Sequence, residues 1–172
     1  MNKKTAIMFA FCVAIGIMGV VYAAFGTRLT VTTTATGSGG IDIRYTCSCS
    51  GTAGLTGGTT PTGTCTPTTE GSATDATMSA TLYQPGDSVT CTWTAKNYSS
   101  FRVKTSAAMS CSGTLASAFT RSNSTLASGT TLAVNGTTTF SVTIGYASSV
   151  TSQPGTTDSG TVTCTVPWTQ VA

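Results

Sequence analysis

The sequence predicts an all-β protein, a β-sandwich or jelly roll, and three observations carry that reading. Forty of the 172 residues are Thr and only 8% are charged; Thr is β-branched and suits a pleated, half-exposed surface. Apolar residues alternate with polar ones through most of the chain, and no segment after residue 25 repeats with a helical period. Gly, Pro and Asn turn signals punctuate it about every ten residues, marking off about eight strands.

The first 24 residues stand apart. "MNKK" is a short positive region, "TAIMFAFCVAIGIMGVV" is an unbroken apolar run and "VYAA" offers small residues for cleavage. This is the pattern of an export signal cut after Ala23 or Ala24. Thr5 to Ala24 is also about long enough to span a bilayer, so retention as an apolar helix is the alternative. Cleavage removes Lys3 and Lys4, so eight basic residues become six against five acidic ones. So small a net charge excludes a nucleic-acid partner, which requires a basic stripe. A membrane enters only through the signal segment, if it stays.

Residues 25–36 read as one strand. Phe25, Leu29, Val31 and Ala35 share a face, and Arg28, Thr30, Thr32 and Thr34 take the other. A glycine hinge follows over residues 37–40, with Gly37, Gly39 and Gly40, and no turn brings a partner strand straight back. Residues 41–172 make up the β domain.

Cys12 lies in the signal, which leaves Cys47, Cys49, Cys65, Cys91, Cys111 and Cys164. Six cysteines in an exported chain read as three disulfides, with fifteen connectivities open. Residues 47–71 contain hardly an apolar side chain after Cys49, so they are expected as a surface loop without order of its own. A bridge from Cys65 to Cys47 or Cys49 would tether it. Cys91 and Cys164 both fall on inward faces, which admits a cross-core bridge between them. With no CxxC pair and no His, neither a metal nor a cofactor is expected.

The strands follow in order. Ile41, Ile43, Tyr45, Cys47 and Cys49 point inward, with Asp42 and Arg44 outward. Met78, Ala80 and Leu82 alternate up to "QPGD", where Pro85 and Gly86 suit the two central positions of a turn. Val89, Cys91, Trp93 and Ala95 share the next inner face. Phe101, Val103, Met109 and Cys111 follow, with Arg102 and Lys104 outside. Asn135-Gly136 is a strong hairpin signal, and Phe140, Val142, Ile144 and Tyr146 lie inward beyond it. Val162, Cys164, Val166 and Trp168 close the chain. Trp93, Phe101, Phe140 and Trp168 are read as core, and Tyr98 as exposed.

Catalytic chemistry has little to work with. His is absent, and with it the usual general base. Asp42, Glu70, Asp75, Asp87 and Asp158 scatter over loops and outer faces, and Lys96 and Lys104 alternate outward. No enzyme is expected. Asn97, Asn123 and Asn135 each begin an Asn-x-Ser/Thr pattern, and each is either a glycan acceptor or a turn former.

Taken in order, "VYAAFGTRLTVTTTATGSGGIDI", "LYQPGDSVTCTWTAKNYSS", "TLASGTTLAVNGTTTFSVTIGY" and "TVTCTVPWTQ" resemble the TasA/camelysin type of secreted biofilm fibre proteins and the archaeal bundling pilins similar to them. The likeness covers most of the chain as a pattern; the Cys47–Cys65 region departs from it. The resemblance implies jelly-roll subunits that polymerise head to tail, the N-terminal strand of one completing the sheet of the next. The donor face would be Phe25, Leu29, Val31 and Ala35, hinged at Gly37, Gly39 and Gly40. The expected function is therefore that of a structural subunit of an extracellular filament, pilus or biofilm fibre, a homopolymer at the cell surface that also meets neighbouring filaments or matrix. The alternatives are a type IV-pilin-like subunit that keeps its apolar helix, and a surface adhesin that does not polymerise.

Overall fold

The computed structural model describes residues 26–27, 40–69, 77–149 and 161–171. Among them are twelve strands and no helix, which is the predicted all-β class. In chain order they are β1 (Gly26–Thr27), β2 (Ile43–Thr52), β3 (Thr62–Thr66), β4 (Thr77–Thr81), β5 (Ser88–Asn97) and β6 (Val103–Thr105). Then come β7 (Ser110–Thr114), β8 (Phe119–Asn123), β9 (Thr131–Leu132), β10 (Thr137–Tyr146), β11 (Thr161–Thr165) and β12 (Trp168–Gln170). Every ladder is antiparallel. The sheets are β2-β5-β10-β8, β1-β4-β3, β12-β6-β9 and the pair β11-β7.

Alternation builds the core. In β5 every second residue from Val89 to Asn97 is buried, and β10 buries Phe140, Val142, Ile144 and Tyr146. The β2–β5 and β5–β10 registers bring those inner faces together with Ile43 and Tyr45. Met78, Ala80, Leu82, Val103, Met109, Val162, Val166 and Trp168 join the same cluster. Trp93 stacks on Phe140 with ring centroids 5.6 Å apart, and Tyr45 meets that ring edge-on at 6.2 Å; both are favoured arrangements for aromatic pairs. Phe101 is only partly buried, packed against the cluster's margin.

Four elements differ from the sequence reading, each for a physical reason. Residues 47–71 are not all loop: Thr62–Thr66 form β3 against β4. Backbone hydrogen bonds supply what its small side chains cannot. Gly63 is needed there because a Cβ would run into Val89 and Cys49 beneath it. β8 carries weak alternation, since only Phe119 of its five residues is buried; the ladder to β10 and the Phe119–Tyr146 contact hold it. Asn135-Gly136 forms a turn, with Asn135 at φ 61° and Gly136 N–H donating to the Ala133 carbonyl at 2.9 Å, but not a hairpin. β9 before it pairs with β6, and β10 after it pairs with β5, so this turn carries the chain between sheets. Tyr98 is half-buried between Arg44 and Lys96, at 4.5 and 4.7 Å from its ring centre.

The "QPGD" turn is as read. Gly86 has φ +90° and Asp87 N–H donates to the Gln84 carbonyl at 3.1 Å.

One buried hydrogen bond joins distant ends of the core: Trp168 Nε1–H donates to Tyr45 Oη at 3.1 Å. Burial pushes the Tyr45 phenol up from 10.0 to about 12, and the Trp168 contact opposes this in part. Unfolded, Tyr45 releases its proton near pH 10; folded, it holds it to about pH 12. The unfolded state therefore gives up the proton first, and stability falls as pH rises through that window. The gap corresponds to as much as about 3 kcal/mol. Urea unfolding at pH 8 and at pH 11.5 checks this: the alkaline loss is expected to shrink in Tyr45→Phe, and equal losses in the two proteins would contradict it.

Candidate functional site: a strand edge and its supports

β4 is the element to which the N-terminal segment attaches. It buries Met78 and Ala80, and Leu82 just beyond its end is buried with them. On one side β3 runs its whole length, from Thr62↔Thr81 to Thr66↔Thr77. On the other side β1 pairs Gly26 with Thr81 and Thr27 with Ala80. Among the described residues, the ladder on this second side covers Ala80 and Thr81 alone. An edge of bare N–H and C=O groups invites a further strand. In the chain taken singly, the strand that begins to fill it is the chain's own.

Of the residues expected to form the donor face and hinge, Phe25, Leu29, Val31, Ala35, Gly37 and Gly39 lie outside the described residues, as does the apolar run over 1–24. Gly40 is described, exposed and at φ +77°, a conformation that favours glycine. Among the described residues no helix is long and apolar enough to cross a membrane.

The cysteines pair as Cys47–Cys65, Cys49–Cys91 and Cys111–Cys164. The first is one of the two tethers expected for the loop. The Cys91–Cys164 alternative does not occur, because each of these residues faces another cysteine across a ladder. Cys49 is opposite Cys91 on β2–β5, and Cys111 opposite Cys164 on β7–β11, each with Cα atoms 4.0 Å apart. Cys47–Cys65 instead links two sheets, with Cα atoms 6.1 Å apart. Three disulfides fit an oxidising, extracellular environment. Each contributes roughly 3–4 kcal/mol by restricting the unfolded chain.

The three Asn-x-Ser/Thr asparagines separate by environment. Asn97 is fully buried. Its Nδ2 donates to the carbonyls of Phe101 at 2.9 Å and Ala133 at 3.1 Å, and its Oδ1 accepts from Ser99 N–H at 2.9 Å. The nitrogen a glycan would occupy is already engaged inside the fold. Asn123 is half-buried at the end of β8, and Asn135 is exposed at its turn.

The outer face of β2-β5-β10 is a hydroxyl array. The registers set Thr46, Thr94 and Thr139 in one row, Ser48, Thr92 and Ser141 in the next, and Ser50, Thr90 and Thr143 beyond. Thr90 and Thr143 share a hydrogen bond at 2.7 Å. An open cleft of about 470 Å³ lies beside this face, lined by Ser88, Thr120, Ser122 and Tyr146 among others. At the face's other end Arg44 pairs with Asp42 at 2.8 Å.

Sequence reasoning missed Asp87, grouped with the scattered surface acids. It is fully buried, and it is a clamp. Oδ2 accepts the backbone N–H groups of Tyr83 at 2.7 Å and Gln84 at 3.0 Å, while Oδ1 accepts that of Gly54 at 2.8 Å. It thus holds the 53–61 loop against the Pro85-Gly86 turn that follows β4. The available signal was its place at the last position of that turn.

Asp87→Ala leaves three backbone donors without their acceptor, and is expected to cost about 3 kcal/mol or more. Asn97→Ala removes a buried bracket and is expected to cost about 2–4 kcal/mol, whereas Asn135→Gly, at a positive φ, is expected to be neutral or slightly stabilising. Urea unfolding of the three variants checks the order; equal stability of Asn97→Ala and Asn135→Gly would contradict it.

Set against protein-family models, curated proteins and solved structures, the chain matches none of them.

Proposed function

We propose that this protein is an exported structural subunit of an extracellular filament, a pilus or matrix fibre of the TasA/camelysin and bundling-pilin kind, and that strand donation at the β4 edge joins its copies head to tail. The observation that carries the reading is the β1–β4 register. Continued in both directions, it would set Phe25 against Leu82 and Leu29 against Met78. Opposed residues of an antiparallel pair share a face, so Phe25 and Leu29 would meet the buried side of β4 and of Leu82 just beyond it, and Val31 and Ala35 would run on past Thr77. A strand of about eleven residues spans roughly 35 Å and adds about 1.5–3 kcal/mol for each apolar side chain that it buries, besides its hydrogen bonds.

Whether a strand is given to its own body or to a neighbour's is decided by the connection. Residues 37–40 are Gly-Ser-Gly-Gly, which lets the segment swing out. The same register made between copies is a heterologous contact that does not close, so it propagates as a filament. A two-layer sandwich or jelly roll accommodates this, the β1-β4-β3 sheet being the layer that the incoming strand completes. The uncharged Thr/Ser rows of β2-β5-β10 carry no like-charge repulsion and suit side-by-side bundling. Three disulfides stiffen a subunit exposed to an oxidising exterior.

Negative-stain microscopy of the purified chain tests the proposal. Filaments are expected from the intact protein and monomers from a variant lacking residues 25–36, which an added peptide of that sequence should bind without polymerising. Filaments that persist after the deletion, or an intact chain that never assembles, would overturn it.

A further inference from the structure

Four of the six disulfide-bonded cysteines gather at one point. Cys47 and Cys49 stand two apart on β2, Cys91 faces Cys49 on β5, and Cys65 reaches over from β3. The Sγ atoms of Cys49, Cys65 and Cys91 lie within 4.8 Å of one another. The two disulfides are therefore close neighbours, while Cys111–Cys164 belongs to the β7–β11 pair. Accessibility within the cluster is uneven: Cys65 and Cys91 are buried, while Cys47 and Cys49 are half-buried, so each bridge has one more accessible sulfur. An external reductant thus meets the Cys47 sulfur more readily than that of Cys65.

Thiol–disulfide exchange proceeds by attack of a thiolate on a disulfide sulfur, and access decides which sulfur is struck. When a small dithiol attacks Cys47 Sγ, the Cys47–Cys65 bond breaks and Cys65 leaves as a thiolate. That thiolate is released beside the Cys49–Cys91 bond, within 4.8 Å of both its sulfurs.

We propose that Cys47, Cys49, Cys65 and Cys91 act as one exchangeable sulfur cluster, in which opening the Cys47–Cys65 bridge passes the free thiol on to Cys91 or Cys49 and keeps β3 covalently tied to the β2–β5 ladder. In the second step Cys65 bonds to Cys49 or Cys91, the Cys49–Cys91 bond breaks, and the displaced sulfur leaves as a thiolate that takes a proton from water. The dithiol's second sulfur then resolves its mixed disulfide with Cys47. It departs as a cyclic disulfide, leaving a Cys47 thiol. The dithiol is oxidised by two electrons, the protein gains two thiols, and the exchange step itself involves no net redox change. β3 is the strand paired along one whole side of β4, so the device preserves the strand-accepting sheet when one bridge is lost.

Alkylation mapping tests this on the full chain treated with one equivalent of a dithiol, quenched with acid and labelled. The expected label sits on Cys47 together with Cys91 or Cys49, with Cys65 still bonded. Label on Cys47 and Cys65 alone overturns the proposal, as does label on Cys49 and Cys91 alone or on all four at once. Label on Cys111 or Cys164 also overturns it, since exchange would then need an opened chain. The Cys47→Ser variant supplies a second reading with no reductant: part of the free thiol is expected at Cys49 or Cys91, and its confinement to Cys65 would contradict the exchange.

Discussion

An open strand edge invites a further strand, and β4 presents one over side chains that belong to the core. Met78 and Ala80 are those inner side chains, so where β4 lies sets the packing beneath it. β3 satisfies one side fully. The other side is met by Gly26 and Thr27, residues joined to the domain through a Thr-rich segment that ends in Gly-Ser-Gly-Gly. How that side is completed determines both the stability of the subunit and whether copies connect.

The rest of the fold can be read as support for that edge. The Cys47–Cys65 bridge pins β3 to β2, and Gly63 lets β3 lie close over Val89 and Cys49. Asp87 anchors the turn that follows β4 to the 53–61 loop by three charge-assisted hydrogen bonds. Trp93 donates to the Thr66 carbonyl at the far end of β3 at 3.4 Å. Covalent, polar and packing contacts thus converge on β3 and β4 from the four-stranded sheet. Their cost, burying Asp87 and Asn97, is offset because each polar atom named above has a partner.

The central strands were legible because their pattern is strict. Val89 to Ala95 and Phe140 to Tyr146 alternate without exception, so both their existence and their inner faces followed from period two. The "QPGD" turn was legible because Pro and Gly restrict φ in complementary ways. Weakly patterned strands were not: β3 has one buried side chain, Cys65, and β8 has one, Phe119. Ladder partners, which sequence does not display, hold both. Two of the three disulfides escaped the sequence reading for the same reason, while Cys47–Cys65 is one of the two tethers it offered. Cys49–Cys91 and Cys111–Cys164 follow at once from register, and register is a property of pairing rather than of either strand alone. Asn97 and Asp87 looked like surface turn residues, because residue type does not reveal that the chain folds over them.

The central claim is that the strand lying on β4 in assembled material comes from another copy. Co-assembly of isotopically light and heavy chains carrying Gly26→Cys and Thr81→Cys, the two residues paired in the ladder, tests it most directly. Mass spectrometry of the peptides linked through those two positions should find light–heavy pairs in quantity. Linkage confined to light–light and heavy–heavy pairs would show each segment lying on its own body, and would contradict the account.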